Sequence, residues 1–280
     1  MGPIGAAPVP AESVGRVFKT LLVCLAVVPV VYLMLSEAKI VGYLLLLMFA
    51  VLTVYFIGSG VRSGDRVQLH RYLAMLLLFL AKILFWGMFE QAGSSLNFFA
   101  KDYVDAPFDF TLFQSANPVF ILLMAPVFAW LWPRLEARGM NPSIPRKFAI
   151  ALLLVALGFT TLVFSIEHLL DDAGKLAWSL LALVYLINTM GELCLSPIGL
   201  SMVSKLAAPK DNGLAMGAWF LCTAIGNFAA GAIASVASGG SLGIAQYSAT
   251  YTQIAIGGAV MGFAFLLFAP LINKLMHGVR

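Results

Sequence analysis

Apolar residues in this chain of 280 residues come in long unbroken runs separated by short polar segments. The runs lie at about 17–36, 40–58, 71–100, 114–132, 147–166, 176–203, 213–236 and 251–273. Most of them match the roughly 20 residues that a helix needs to cross about 30 Å of hydrocarbon. Stretches such as Tyr43 to Ala50 are apolar on every side, whereas the strands of a membrane barrel alternate apolar and polar positions over about ten residues. The pattern predicts an all-α fold: a polytopic membrane helix bundle with eight spans.

The polar segments divide these spans unevenly. Gly58 to Arg71 separates the first two from the last six, and the acidic loop from Glu167 to Lys175 splits those six into two triplets. The organisation reads as a cytoplasmic tail (1–16), a transmembrane hairpin (17–58), a cytoplasmic linker (59–70), a six-helix bundle (71–273) and a second cytoplasmic tail (274–280). Within the bundle, 71–166 and 175–273 read as inverted repeats, an arrangement that in transporters places the substrate site near the bilayer midplane.

Composition sharpens this picture. Hydrophobic residues make up 61% of the chain and charged residues 11%, against roughly 25% charged in an ordinary soluble domain, which excludes a soluble fold. The net charge of +4 is not a nucleic-acid signal, because no basic patch with interleaved aromatics exists. The basic residues mark an orientation instead. With a cytoplasmic amino terminus, Arg16, Lys19, Arg62, Arg66, Arg71, Arg134, Arg138, Arg146, Lys147, Lys205, Lys210, Lys274 and Arg280 all fall inside, and only Lys39, Lys101 and Lys175 fall outside. An even number of spans puts both termini in the cytoplasm. Cys24, Cys194 and Cys222 lie in apolar runs with no CxxC spacing and read as packing residues, not as a metal site. The first apolar run exceeds a signal-peptide core and reads as a retained span.

Three ionisable residues lie deep inside spans: Lys82, Glu90 and Glu192. A charge at the bilayer centre costs at least about 2.5–3.5 kcal/mol, so such residues face protein or a watery cavity and are functional candidates. At 1.5 Å per residue, Glu90 lies about 15 Å and Glu192 about 17 Å from the nearer ends of their runs, both near the middle of the layer. The bland reading of each acid is a protonated carboxyl bonded to a neighbouring helix. Lys82 either pairs locally or snorkels toward the interface on its long stem. Lys82, Trp86 and Glu90 follow at four-residue steps and so share a helix face.

Helix irregularity is expected beside these acids. Pro197, one turn after Glu192, removes a backbone donor and clashes with the carbonyl of Leu193, so the helix should bend or open there. Freed carbonyls at membrane depth are tolerated beside a cavity. Asn117–Pro118 and Pro126 repeat the theme, with Pro126 and Pro29 read as packing kinks. Trp86 and Trp219 sit too deep for an interfacial belt, and either line a cavity or fill plain core. Trp130 and Trp132 fit the belt. Gly217 and the series Gly226, Ala230 and Ala234 permit close helix contact. His70, His168 and His277, at helix ends or loops, read as solvated surface.

Three separated motifs carry a resemblance: FWGMFEQAGSSLNFFA from Phe85 to Ala100, QSANP from Gln114 to Pro118, and GELCLSPIGLSMVSKLA from Gly191. In this order they resemble the proton-dependent oligopeptide transporters, a branch of the major facilitator superfamily that imports di- and tripeptides with protons. The resemblance covers nearly the whole chain. It implies half of a major facilitator superfamily fold, the two-helix hairpin of the bacterial members followed by the carboxy-terminal six-helix bundle. Nothing matches the amino-terminal six helices or their ExxER motif, which implies a truncated or split gene product that on its own transports little.

The same resemblance implies roles. Glu192, in the family's GELxLSP motif, would meet the peptide's amino terminus, and Glu90, after FWxxF, would take the proton and form a salt bridge to the missing half. Asn117 would bond peptide backbone, while Trp86, Ser196, Trp219 and Phe220 would shape side-chain pockets. Lys82 matches no motif and stays a possible ion-pair partner. The expected activity is proton symport in a bacterial inner membrane, with protons as coupling ions, no other cofactor and no enzyme chemistry. The partners are di- and tripeptides, the lipid bilayer and an amino-terminal six-helix half in cis or encoded separately. A membrane scaffold or peptide-binding receptor is the alternative.

Overall fold

In a computed structural model of the chain, residues 13–239 and 243–279 are described. The expected tails at 1–16 and 274–280 therefore fall partly outside the described residues. The chain divides into two compact units, Met1–Leu47 and Met48–Arg280.

The first unit holds α1 (Ser13–Ser36) and the beginning of α2 (Ala38–Arg62), joined through Glu37. In the second unit, α3 (Arg66–Phe89) gives way to a 3-10 turn at Glu90–Gly93 and then to α4 (Ser95–Tyr103). A second 3-10 turn at Phe110–Ser115 leads into α5 (Ala116–Ala137), followed by α6 (Ile144–His168) and α7 (Trp178–Leu206). A third, Pro209–Asp211, precedes α8 (Asn212–Ser238), and α9 (Ile244–Leu275) ends the bundle. The strands β1 (Val104–Asp105) and β2 (Leu176–Ala177) pair in parallel and pin two loops at one end of the helices.

Seven of the eight expected runs coincide with helical segments long and apolar enough to cross a membrane, and α1 covers the first. Large apolar side chains stay exposed along them, Leu122 and Leu267 at 76% and 75%. Water does not tolerate apolar surface on this scale, but lipid does. The chain is a multi-pass membrane protein.

The core runs between α6 and α9, with α3, α7 and α8 packed around that pair and α5 against α7. Small residues set the approach, as expected where hydrocarbon offers no hydrophobic drive. A methyl at Gly226 would lie 2.6 Å from Cβ of Trp86 and 3.1 Å from the Gly87 nitrogen, so α8 and α3 meet backbone to backbone. Ala230 and Ala234 of the same series are buried, whereas Gly217 faces open space. On α7, Gly199 lies flat against the Trp219 indole, and a methyl there would overlap the ring. Gly199→Ala is expected to cost about 1–3 kcal/mol by overpacking, read as a lowered thermal midpoint of the detergent-solubilised chain. Gly217→Ala should leave that midpoint unchanged or slightly raised.

Two local expectations are corrected. Helix α7 runs through Pro197 without opening; one missing donor does not end a helix that packs against α5, α6 and α8. His70 and His277 are not simply solvated: their rings stack, with Nδ1 of one 2.9 Å from Nε2 of the other, and join the ends of α3 and α9.

Candidate functional site

The irregular backbone expected near Glu192 lies instead at Glu90. Here α3 stops being α-helical within the span Arg66–Tyr103, which frees carbonyls at membrane depth. Such a break survives only if every freed group finds a partner. Buried Gln91 supplies one of them and ties the turn to α8. Its amide donates to the carbonyls of Gly87 at 3.0 Å and Ala230 at 3.2 Å, and its oxygen accepts from the Ser95 hydroxyl at 2.6 Å. Ser94 donates to the Glu90 carbonyl at 2.9 Å. Gln114, from the turn before α5, and Tyr185, on α7, both donate to the Ala92 carbonyl, at 2.9 and 3.0 Å. Three other elements thus hold the turn that presents the Glu90 carboxylate.

Glu192 projects from the middle of α7. Asn117, in the first turn of α5, donates one amide hydrogen to the Glu192 carboxylate at 2.8 Å and the other to Thr189 at 3.1 Å. Thr189 is fixed in turn by donating to the Tyr185 carbonyl at 2.7 Å. Pro118 is no obstacle, because the first turn of a helix has no intrahelical donors to lose. Tyr185 therefore links both acids: its hydroxyl steadies the turn after Glu90, and its carbonyl steadies the threonine beside Glu192. Both carboxylates are half-buried.

Among the described residues, buried polar atoms without a hydrogen-bond partner include the indole nitrogen of Trp86, one turn before Glu90, the amide oxygen of Asn188, one turn before Glu192, and the hydroxyl of Ser196, one turn after it. A buried unpaired donor costs about 1–3 kcal/mol unless something outside the chain satisfies it. Trp86 and Ser196 are sequence-predicted contacts.

The remaining predicted residues gather elsewhere. Trp219, 3% exposed, is core, wedged between Phe79, Phe148 and the flat face at Gly199. Lys82, 2% exposed, donates to the Trp219 carbonyl at 2.6 Å and stands 3.6 Å from the centroid of its ring. It pairs locally, through a carbonyl and a π face. Phe220 is 61% exposed, with its ring 5.8 Å from the ammonium. The structure thus joins Glu192 to Asn117 directly and to the turn after Glu90 through Tyr185, whereas Lys82, Trp219 and Phe220 gather around one another.

Sequence reasoning gave no role to Gln91, Gln114, Tyr185 or Thr189. A signal existed for the first two: a polar cluster, Gln91 to Ser95, inside an apolar run, and the glutamine that opens QSANP.

Residues 50–254 match the POT family. Along the chain, 31% of positions are identical to the peptide transporter YePEPT of Yersinia enterocolitica, a match covering 96% of this chain and 54% of that protein. The dipeptide and tripeptide permease A of Edwardsiella piscicida is 29% identical over 95% of this chain and 56% of its own length. Among solved structures, a mutant peptide transporter POT in complex with alafosfalin superposes with a TM-score of 0.77 at 31% identity, covering 96% of this chain and 55% of the other. A POT family transporter in complex with 5-aminolevulinic acid gives 0.73 at 26%, covering 94% and 56%. The chain spans about half the length of the curated relatives it matches.

Proposed function

Because this chain belongs to the POT family, its helices being half of a major facilitator superfamily fold, we propose that it is the carboxy-terminal part of a proton-coupled di- and tripeptide symporter. The observation that carries the reading is the Glu192–Asn117 pair at 2.8 Å, tied through Tyr185 to the turn that begins at the second acid, Glu90. A peptide's ammonium leaves water only for a fixed anion, and Asn117 holds the Glu192 carboxylate while leaving it an oxygen free to accept. Relatives solved with alafosfalin and 5-aminolevulinic acid bind small molecules of related chemistry.

Glu90 serves in this reading as the proton site. A charged Glu90 pairs with a cation on the opposing half and holds the halves together. Protonation removes that pairing, so the halves part without stranding a buried charge. The neighbour pattern supports inverted repeats, since exchanging α3 with α7, α5 with α8 and α6 with α9 maps the α3–α8 contact onto α7–α5 and the α6–α9 contact onto itself. The distribution of basic loops supports an inner-membrane protein with both termini cytoplasmic.

Uptake of a labelled dipeptide tests the reading. Cells expressing this chain alone should accumulate no more than empty cells, and co-expression with the amino-terminal six helices of a relative should restore uptake driven by a proton gradient. Dipeptide binding with no uptake, although both halves reach the membrane, would favour the receptor reading.

A further inference from the structure

Where α2 ends, a cavity of about 470 Å³ opens between that helix and the start of α8. Val54 and Gly58 form its apolar part, and Tyr55, Ser59, Arg62 and Lys210 its polar part. Arg62 and Lys210 are exposed cations, and no acidic side chain lines the cavity. The carboxylate nearest in sequence is Asp211, 2% exposed, whose charge reaches Lys210. Its oxygens are already taken by the hydroxyls of Tyr55 at 2.8 Å, Ser59 at 3.2 Å and Tyr72. Those bonds fix one wall of the cavity, and with the Asp211 charge set against Lys210 the two cations still leave the site net positive. Arg62 closes a 25-residue apolar helix, so the cations stand at the depth of the headgroups, and the lining residues Gly58 and Val54 lie about one and two turns deeper along the same helix.

We propose that this cavity binds the phosphate of an anionic phospholipid, with Arg62 and Lys210 holding the headgroup and an acyl chain lying along Val54 and Gly58. A free phosphate would satisfy the two cations but not the apolar floor, and a zwitterionic lipid carries its own ammonium against them. Each basic residue at a membrane surface strengthens attraction to an anionic lipid by about fivefold, and the two together by roughly thirtyfold.

Native mass spectrometry of the purified 280-residue chain, titrated with phosphatidylglycerol or phosphatidylcholine in mild detergent, tests the site. One phosphatidylglycerol should be retained in preference to phosphatidylcholine, and Arg62→Gln with Lys210→Gln should weaken that retention roughly thirtyfold. The charge-preserving pair Arg62→Lys with Lys210→Arg should keep it, which separates loss of charge from loss of fold. Equal retention of both lipids, or unchanged retention by the glutamine pair, would overturn the proposal. Displacement of the lipid by millimolar inorganic phosphate would overturn it too, marking an adventitious anion site.

Discussion

Glu192→Gln is expected to weaken binding of dialanine by about ten- to a hundredfold, because a charge-assisted bond to the peptide ammonium contributes about 1.5–3 kcal/mol. Glutamine keeps the shape of the side chain and still accepts from Asn117, which donates to the native carboxylate at 2.8 Å. Only the negative charge is lost. NMR titration of the purified chain reads this at the millimolar affinities expected of an open half-site, and thermal unfolding checks that the bundle is intact. A blocked dipeptide, acetylated at its amino terminus, should bind wild type and variant alike. Equal affinity of both proteins for free dialanine would remove Glu192 from peptide recognition.

Glu90→Gln should leave dialanine binding within about threefold of wild type, well under the cost of losing a direct charged contact. In cells that also carry an amino-terminal half, it should bring gradient-driven uptake down to the level of empty cells. The separation of binding from coupling is what the geometry demands: Glu192 carries the Asn117 bond, whereas Glu90 sits at the broken end of α3. Under the proposed symport, wild-type uptake should rise as the external pH falls, and the variant should lose that response. Uptake by the variant that still follows the proton gradient would place the proton elsewhere.

What the sequence made legible was whatever the bilayer itself dictates. The lengths of the apolar runs follow its thickness, so the spans fall within a few residues of their helices. Glu90, Glu192 and Lys82 stood out because an unpaired charge in hydrocarbon is expensive. Packing faces were not legible. In water a buried stripe is apolar and its opposite face polar, but here both are apolar, and nothing marks Trp219 as core and Phe220, its neighbour, as exposed. Pro197 misled because a proline announces a lost bond wherever it stands, while the structural consequence depends on neighbours hundreds of atoms away in the chain. Asp211 drew no notice in the sequence, since its hydroxyl partners Tyr55 and Tyr72 come from 156 and 139 residues away.

The turn after Glu90 gives the bundle a mechanical property beyond its binding chemistry. A free joint in mid-membrane would let the outer segment swing on its own. This one is clamped by Tyr185 from α7, Gln114 from the approach to α5, and the Ala230 carbonyl on α8. Any tilt of α7 that moves Glu192 is therefore geared through Tyr185 to the stretch bearing Glu90, so the two acids travel as parts of one linkage.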